Sequence, residues 1–179
     1  AVTSQAGGAE FSRRLTIYVP FAAGGIVDQT ARLVGERLSS QVGQTVVIEN
    51  RTGANGQVAV SALKAAGPDG HSLLMVSHGM MAINPVLFSK LGYSPTNDFV
   101  PLTLAIKATH LLLVPASSAI KVPADIVAAA KRNPGALKFA SVGVGSGGHL
   151  AGELFKAKAN IDVTHVPYRG STAALPDLV

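Results

Sequence analysis

The sequence has no cysteine, which excludes a disulfide framework and any thiolate metal site. Charge is sparse: Asp, Glu, Lys and Arg make up 14% of the residues and aromatics 5%. The net charge is +5, but Lys and Arg do not gather into a stripe with aromatics between them, as a nucleic-acid surface requires. Arg32, Arg37, Lys64, Lys90, Lys131, Lys156 and Lys158 fall singly or in pairs and are expected on solvated faces. A mild preference for anions is all that the charge implies. No apolar run reaches the roughly 18 residues of a membrane-spanning helix. The opening, residues 1–10, is small and polar, without the basic and apolar regions of an intact signal peptide.

What is present is apolar and small. Apolar residues make up 47% and glycines number 19, the composition of a tightly packed α/β protein. A length of 179 residues accommodates one ordinary domain or parts of two. Residues 15–21 are a short run rich in β-formers and predict a buried strand, ended by the turn Ala22, Ala23, Gly24, Gly25. Val27, Ala31, Val34, Leu38 and Val42 then recur at steps of three and four, the stripe of a helix lying on a sheet, and Gly43 stops it. Strands are predicted over 45–49 and 72–77, with an Ala-rich helix over 58–66 between them. This alternation is that of a parallel sheet with helical crossovers.

Residues 84–97, rich in Pro, Gly, Ser and Asn, read as a long irregular connection. Strands are predicted over 100–106 and 110–114 with no helix between them, where the chain is expected to cross from one lobe to another. A helix over 123–131 has Pro123 in its first turn, where the missing N–H is harmless. A second β, α, β unit follows: strands over 137–142 and 163–168, a helix over 149–159. The predicted division is a first lobe over 1–104 and a second over 105–179.

Both units place glycines between the end of a strand and the start of a helix. Unpaired N–H groups and the positive end of the helix dipole converge there, so the position suits an anion. Glycine lets the backbone approach a ligand closely. One such loop is compatible with a plain tight turn; two, one in each lobe, point to a cleft clamped from both sides. In open parallel sheets ligands also sit beyond the carboxyl ends of the strands.

Gly143, Gly145 and Gly148 match the dinucleotide spacing Gly-x-Gly-x-x-Gly. The acid test fails, because Asp162 lies at the start of the following strand and not at its end. A nucleophile elbow is absent as well, since Val144 stands where the first glycine before Ser146 belongs. Ser146 is expected to donate its hydroxyl to an anion. The five histidines lack the paired spacing of a zinc helix. His78 and His149, at strand and helix ends, are expected as ligand contacts or caps, and His71, His110 and His165 as structural. Asp28, one turn into the first helix, suits the dipole and can tie down free N–H groups, or receive an ammonium group of the ligand.

Several segments together resemble the periplasmic receptors of tripartite tricarboxylate transporters, the Bug receptors. They are 19–28 (VPFAAGGIVD), 47–56 (VIENRTGANG), 66–74 (AGPDGHSLL), 82–85 (AINP), 145–155 (GSGGHLAGELF) and 165–171 (HVPYRGS). The resemblance implies a two-lobed α/β periplasmic-binding fold with parallel-rich sheets flanked by helices, closing on a small carboxylate and delivering it to a membrane permease. It implies no cofactor, no metal and no catalysis, and a periplasmic location. Ligand contacts carried over are Phe21, Ala22, Ala23, Gly24, Gly25, Val27 and Asp28 in the first loop, and Gly145, Ser146, Gly147, Gly148 and His149 in the second. Ser77 and His78, with Tyr168, Gly170 and Ser171, match further cleft loops. Ala23 replaces a proline common in such receptors, and Gly147 with Gly148 replaces hydroxyl residues, which removes side-chain donors but keeps the N–H groups.

Two other roles are compatible with the sequence: the same closure read by a membrane sensor kinase, and an enzyme acting on a carboxylate or nucleotide. The resemblance also implies a receptor that continues past Val179. The chain would then leave apolar faces uncovered and is expected to self-associate, exchange segments or be labile.

Overall fold

The computed structural model describes residues 11–178. Its first sheet is parallel with strand order β2, β1, β3, formed by β1 (Leu15–Val19), β2 (Val46–Asn50) and β3 (Ser72–Leu74). Central β1 is buried at four of its five positions, the mark of a strand covered on both faces. On one face α1 (Ile26–Val42) sets Ala31 on Ile17 and Val19, with Phe21, Val46, Ile48 and Leu73 around them. The approach is close: a Cβ on Gly35 would lie 3.0 Å from the Ile48 side chain. Helix α1 ends where Gly43 takes a left-handed conformation, φ 68°, as its sequence position predicts.

The other face is covered by α2 (Gln57–Ala66) and by the stretch that follows β3. Val60, Met80 and Tyr93 form a second cluster there, flanked by Leu74, Leu91 and Phe99. The expected irregular connection over 84–97 is therefore ordered. A π-turn over Gly79–Ile83 runs into the short α3 (Asn84–Leu87), and the Tyr93 hydroxyl donates to the Met80 carbonyl at 2.6 Å. Asn84, buried, donates both to that hydroxyl, at 3.1 Å, and to the carbonyl of Asn55, at 3.0 Å. Turn-forming composition was visible in the sequence; the tertiary bonds that make it a fixed structure were not.

The strands expected over 100–106 and 110–114 do not form. Residues 88–122 contain no regular element, and Leu102, Leu104, Leu111, Leu112 and Leu113 are exposed. β-forming residues become a strand only when their N–H and C=O groups find a ladder partner, and none pairs with these segments among the described residues.

A second parallel sheet consists of β4 (Lys138–Ser141) and β5 (Thr164–Pro167). Before it lies α4 (Pro123–Arg132); between its strands α5 (Gly147–Ala159); after it α6 (Ser171–Leu178). Helix α5 sits directly on β4, with the Phe139 ring filling the space that a side chain at Gly152 would need. No helix among the described residues is long and apolar enough to cross a membrane.

Candidate functional site

The first glycine loop is pinned from behind. After β1 the chain turns through Gly24, at φ 80°, to Gly25, which caps α1 in extended conformation. Asp28 faces inward and is 1% exposed. Its carboxylate accepts from the Gly24 N–H at 2.8 Å, from Asn50 Nδ2 at 2.9 Å and from Arg32 Nε at 2.9 Å. Asn50 also donates to the Phe21 carbonyl at 3.0 Å. The Arg32 hydrogen bond, against the opposing cost of burial and with help from Gly24 and Asn50, holds the Asp28 carboxyl at about 2.

The second loop repeats this plan with different chemistry. Gly145, at φ 77°, precedes Ser146, which caps α5 with φ −74° and ψ 160°. The Ser146 hydroxyl accepts the His149 N–H, and the Gly145 N–H donates to His149 Nδ1, both at 3.2 Å. In each loop, then, the glycine N–H is taken by the side chain four residues on. His149 in turn lies against His165, ring centroids 4.2 Å apart, and His165 Nε2 meets the Ser141 hydroxyl at 2.7 Å. Burial, and secondarily the neighbouring His149, lower the pKa of His165.

Between the two loops lies a cleft of about 590 Å³. Its walls meet along two seams. At one, the Ala22 N–H points to the Arg169 carbonyl at 3.4 Å, and the Thr172 hydroxyl to the Ala23 carbonyl at 3.4 Å. At the other, Gly79 approaches the backbone of Gly145 so closely that an added Cβ would stand 2.7 Å from its carbonyl oxygen. Beside that seam the Nε2 atoms of His78 and His110 both lie over Gly147. Among the described residues the lining contains no Asp or Glu, and Arg169 is its one permanently charged side chain. Ile26, Val76, Leu104, Ile106 and Val144 add apolar side chains to the lining. Among the described residues no three His, Asp or Glu converge as metal ligands.

Of the residues expected at the ligand, Phe21, Ala22, Gly25, Val27, Ser77, His78, Gly145, Ser146, Gly147, Tyr168, Gly170 and Ser171 line this cleft. Ala23, Gly24, Asp28, Gly148 and His149 do not. For Asp28 and His149 the reason is that their side chains turn back to hold the loops, as does the N–H of Gly24. Asp28 therefore has no face for a ligand ammonium. His110, expected as structural, instead stands in the lining opposite His78. Asn84 and residues 52–56 also line it without having been expected there. The only signal for His110 was a histidine in an otherwise aliphatic stretch.

Two parallel sheets, each with a glycine loop leading into a helix at the cleft, have the α/β architecture of the periplasmic binding proteins. The chain belongs to the tripartite tricarboxylate transporter family receptors, whose family model matches residues 30–179. It is 41% identical over 168 residues to the UPF0065 protein in the tcbD-tcbE intergenic region of a Pseudomonas species, covering 94% of this chain and 50% of that protein. Protein BugT of Bordetella pertussis is 31% identical, with 94% of this chain and 52% of BugT covered. The chain thus spans about half the length of these relatives. Among solved structures, R. palustris Rpa4515 with adipate superposes with a TM-score of 0.88 at 38% identity, covering 93% of this chain and 56% of the other. MatC from Rhodopseudomonas palustris with bound malate gives 0.81 at 33% identity, with 93% and 57% covered.

Proposed function

We propose that this chain forms the ligand-clasping part of a periplasmic solute receptor, which captures a small carboxylate between lobes 1–104 and 105–179 and delivers it to the membrane permease of a tripartite tricarboxylate transporter. The observation that carries the reading is the pair of matching glycine loops on opposite walls of a cleft lined without Asp or Glu. A carboxylate entering there meets backbone N–H groups and two helix N-termini and no like charge. The adipate and malate held by two related structures are of the same chemical class.

Capture needs no bond made or broken. Among the described residues no hydroxyl in the cleft lining is hydrogen-bonded to an imidazole, and the Ser146 hydroxyl caps α5. Native mass spectrometry of the purified chain, followed by calorimetry over a carboxylate panel, tests the proposal. A stoichiometric carboxylate complex, recovered unchanged after incubation, is expected. Absence of binding to every carboxylate, or turnover of one of them, overturns it.

A further inference from the structure

The second glycine loop is tied down at two points, and both ties lead to one side chain. At its start, the Ser141 hydroxyl at the end of β4 accepts the Gly143 N–H at 3.2 Å and lies 3.0 Å from the Gly143 carbonyl oxygen. That carbonyl also accepts the Ser146 N–H, at 3.2 Å, which closes the turn. Further on, the Gly145 N–H donates to His149 Nδ1. His165, on β5, reaches both anchors. Its Nε2 is 2.7 Å from the Ser141 hydroxyl, and its ring is in contact with those of His149 and Phe139, at centroid distances of 4.2 and 4.8 Å.

Valence decides how the first tie is made. A hydroxyl has one proton to give and two lone pairs to receive with. The Gly143 N–H occupies one lone pair, so the Gly143 carbonyl and His165 Nε2 compete for the single proton if both are acceptors. All three contacts are full hydrogen bonds only if Nε2 carries a hydrogen and donates it, leaving the hydroxyl proton for the carbonyl. Burial, ahead of the neighbouring His149, lowers the His165 pKa, so above its ordinary value near 6.5 the ring is neutral and has one N–H to place. Ser141 is buried and outside the cleft lining, so the pair is not a nucleophile with its base.

Resting on the receptor reading above, we propose that His165 is a positioning residue for ligand capture. It lies outside the lining itself. Through Ser141 and His149 it holds Gly143 and Gly145, both in the lining, in the shape that presents the start of α5 to the cleft. The first loop is held without an imidazole, by Asp28 with Asn50 and Arg32, and so serves as an internal control.

The test uses His165→Phe, which keeps a ring but removes the donor, His165→Gln, which keeps an N–H donor, and Ser141→Ala. Amide hydrogen exchange is read by NMR on the unliganded full chain, and calorimetry measures adipate, malate and their shorter and longer homologues. In His165→Phe and Ser141→Ala, exchange at the Gly143 amide is expected to quicken by about tenfold or more, with the Gly24 amide unchanged. The best-bound carboxylate should lose about tenfold in affinity in either variant, no more in the two combined, and regain most of it in His165→Gln. Unchanged exchange at Gly143, or an equal rise at Gly24, would make His165 an ordinary packing residue and overturn the proposal. So would an affinity that stays constant while the loop loosens; the receptor reading would survive each of these results. An unmodified chain that binds none of these carboxylates overturns the receptor reading, and with it the role given to His165.

Discussion

The two glycine loops share a backbone plan and differ in what holds them. In each, a glycine at positive φ donates its N–H to the third residue of the following helix, across an extended capping residue. In the first loop the acceptor is the buried carboxylate of Asp28, itself held by Arg32 and Asn50 on a sheet sealed from both sides. In the second it is the Nδ1 nitrogen of His149, on a sheet where β4 buries one residue of four and β5 none. The same loop can thus be fixed by a buried, ion-paired carboxylate or by an imidazole. The first should behave as a rigid wall and the second as an adjustable one.

The largest expected effect comes from breaking the stronger anchor. Asp28→Ala strips the acceptor from Gly24, Asn50 and Arg32 and should cost about 3 kcal/mol in chemical denaturation, whereas His149→Ala, which frees one N–H, should cost about 1 kcal/mol. Equal costs would remove the distinction between the walls. Acid should show the same order. Asp28 is depressed from 3.8 to about 2 in the folded chain, so its stabilisation is present above pH 4 and is lost as pH falls from 4 toward 2. The amount is about 2 kcal/mol, and Asp28→Asn should erase that limb of the stability profile.

A smaller effect belongs to the seam. Gly79→Ala places a methyl against the Gly145 carbonyl, so carboxylate affinity should fall by about tenfold with little change in melting temperature. A matching loss of stability would mean that the contact holds the fold together and not the cleft. Ser146→Ala removes the α5 cap and should cost about 1 kcal/mol. The last effect is a slope. His165 has its pKa lowered on folding, so the unfolded chain binds its proton first. Stability contributed by the neutral ring is complete above its ordinary value near 6.5 and declines as pH falls below it. His165→Phe should flatten the profile there and leave the Asp28 limb untouched.

Much of this was legible in the sequence wherever period and punctuation agree. Helix α1 announced itself by the stripe through Val27, Ala31 and Leu38 and by Gly43, and both glycine loops by their place between strand and helix. The loops' inner wiring was not. Gly24 with Asp28 and Gly145 with His149 share one spacing, but only coordinates show that the side chains turn back on the loop instead of outward to a ligand. The crossing segment misled for the opposite reason. Its aliphatic residues satisfy every local preference for a strand, yet pairing depends on a neighbour that local preference cannot report. Nothing periodic marks His110, inside that stretch, as more than a packing residue, and it faces His78 only because two distant segments meet.

The meeting of Gly79 with Gly145 also bears on time. Backbone stands against backbone there, with no side chain that could swing aside as a gate. Under the receptor proposed above, a rotamer change could not widen the cleft at this contact; the two backbones would have to separate. A bound ligand would leave only as fast as those backbones separate, so one that bridges them would lengthen its own stay.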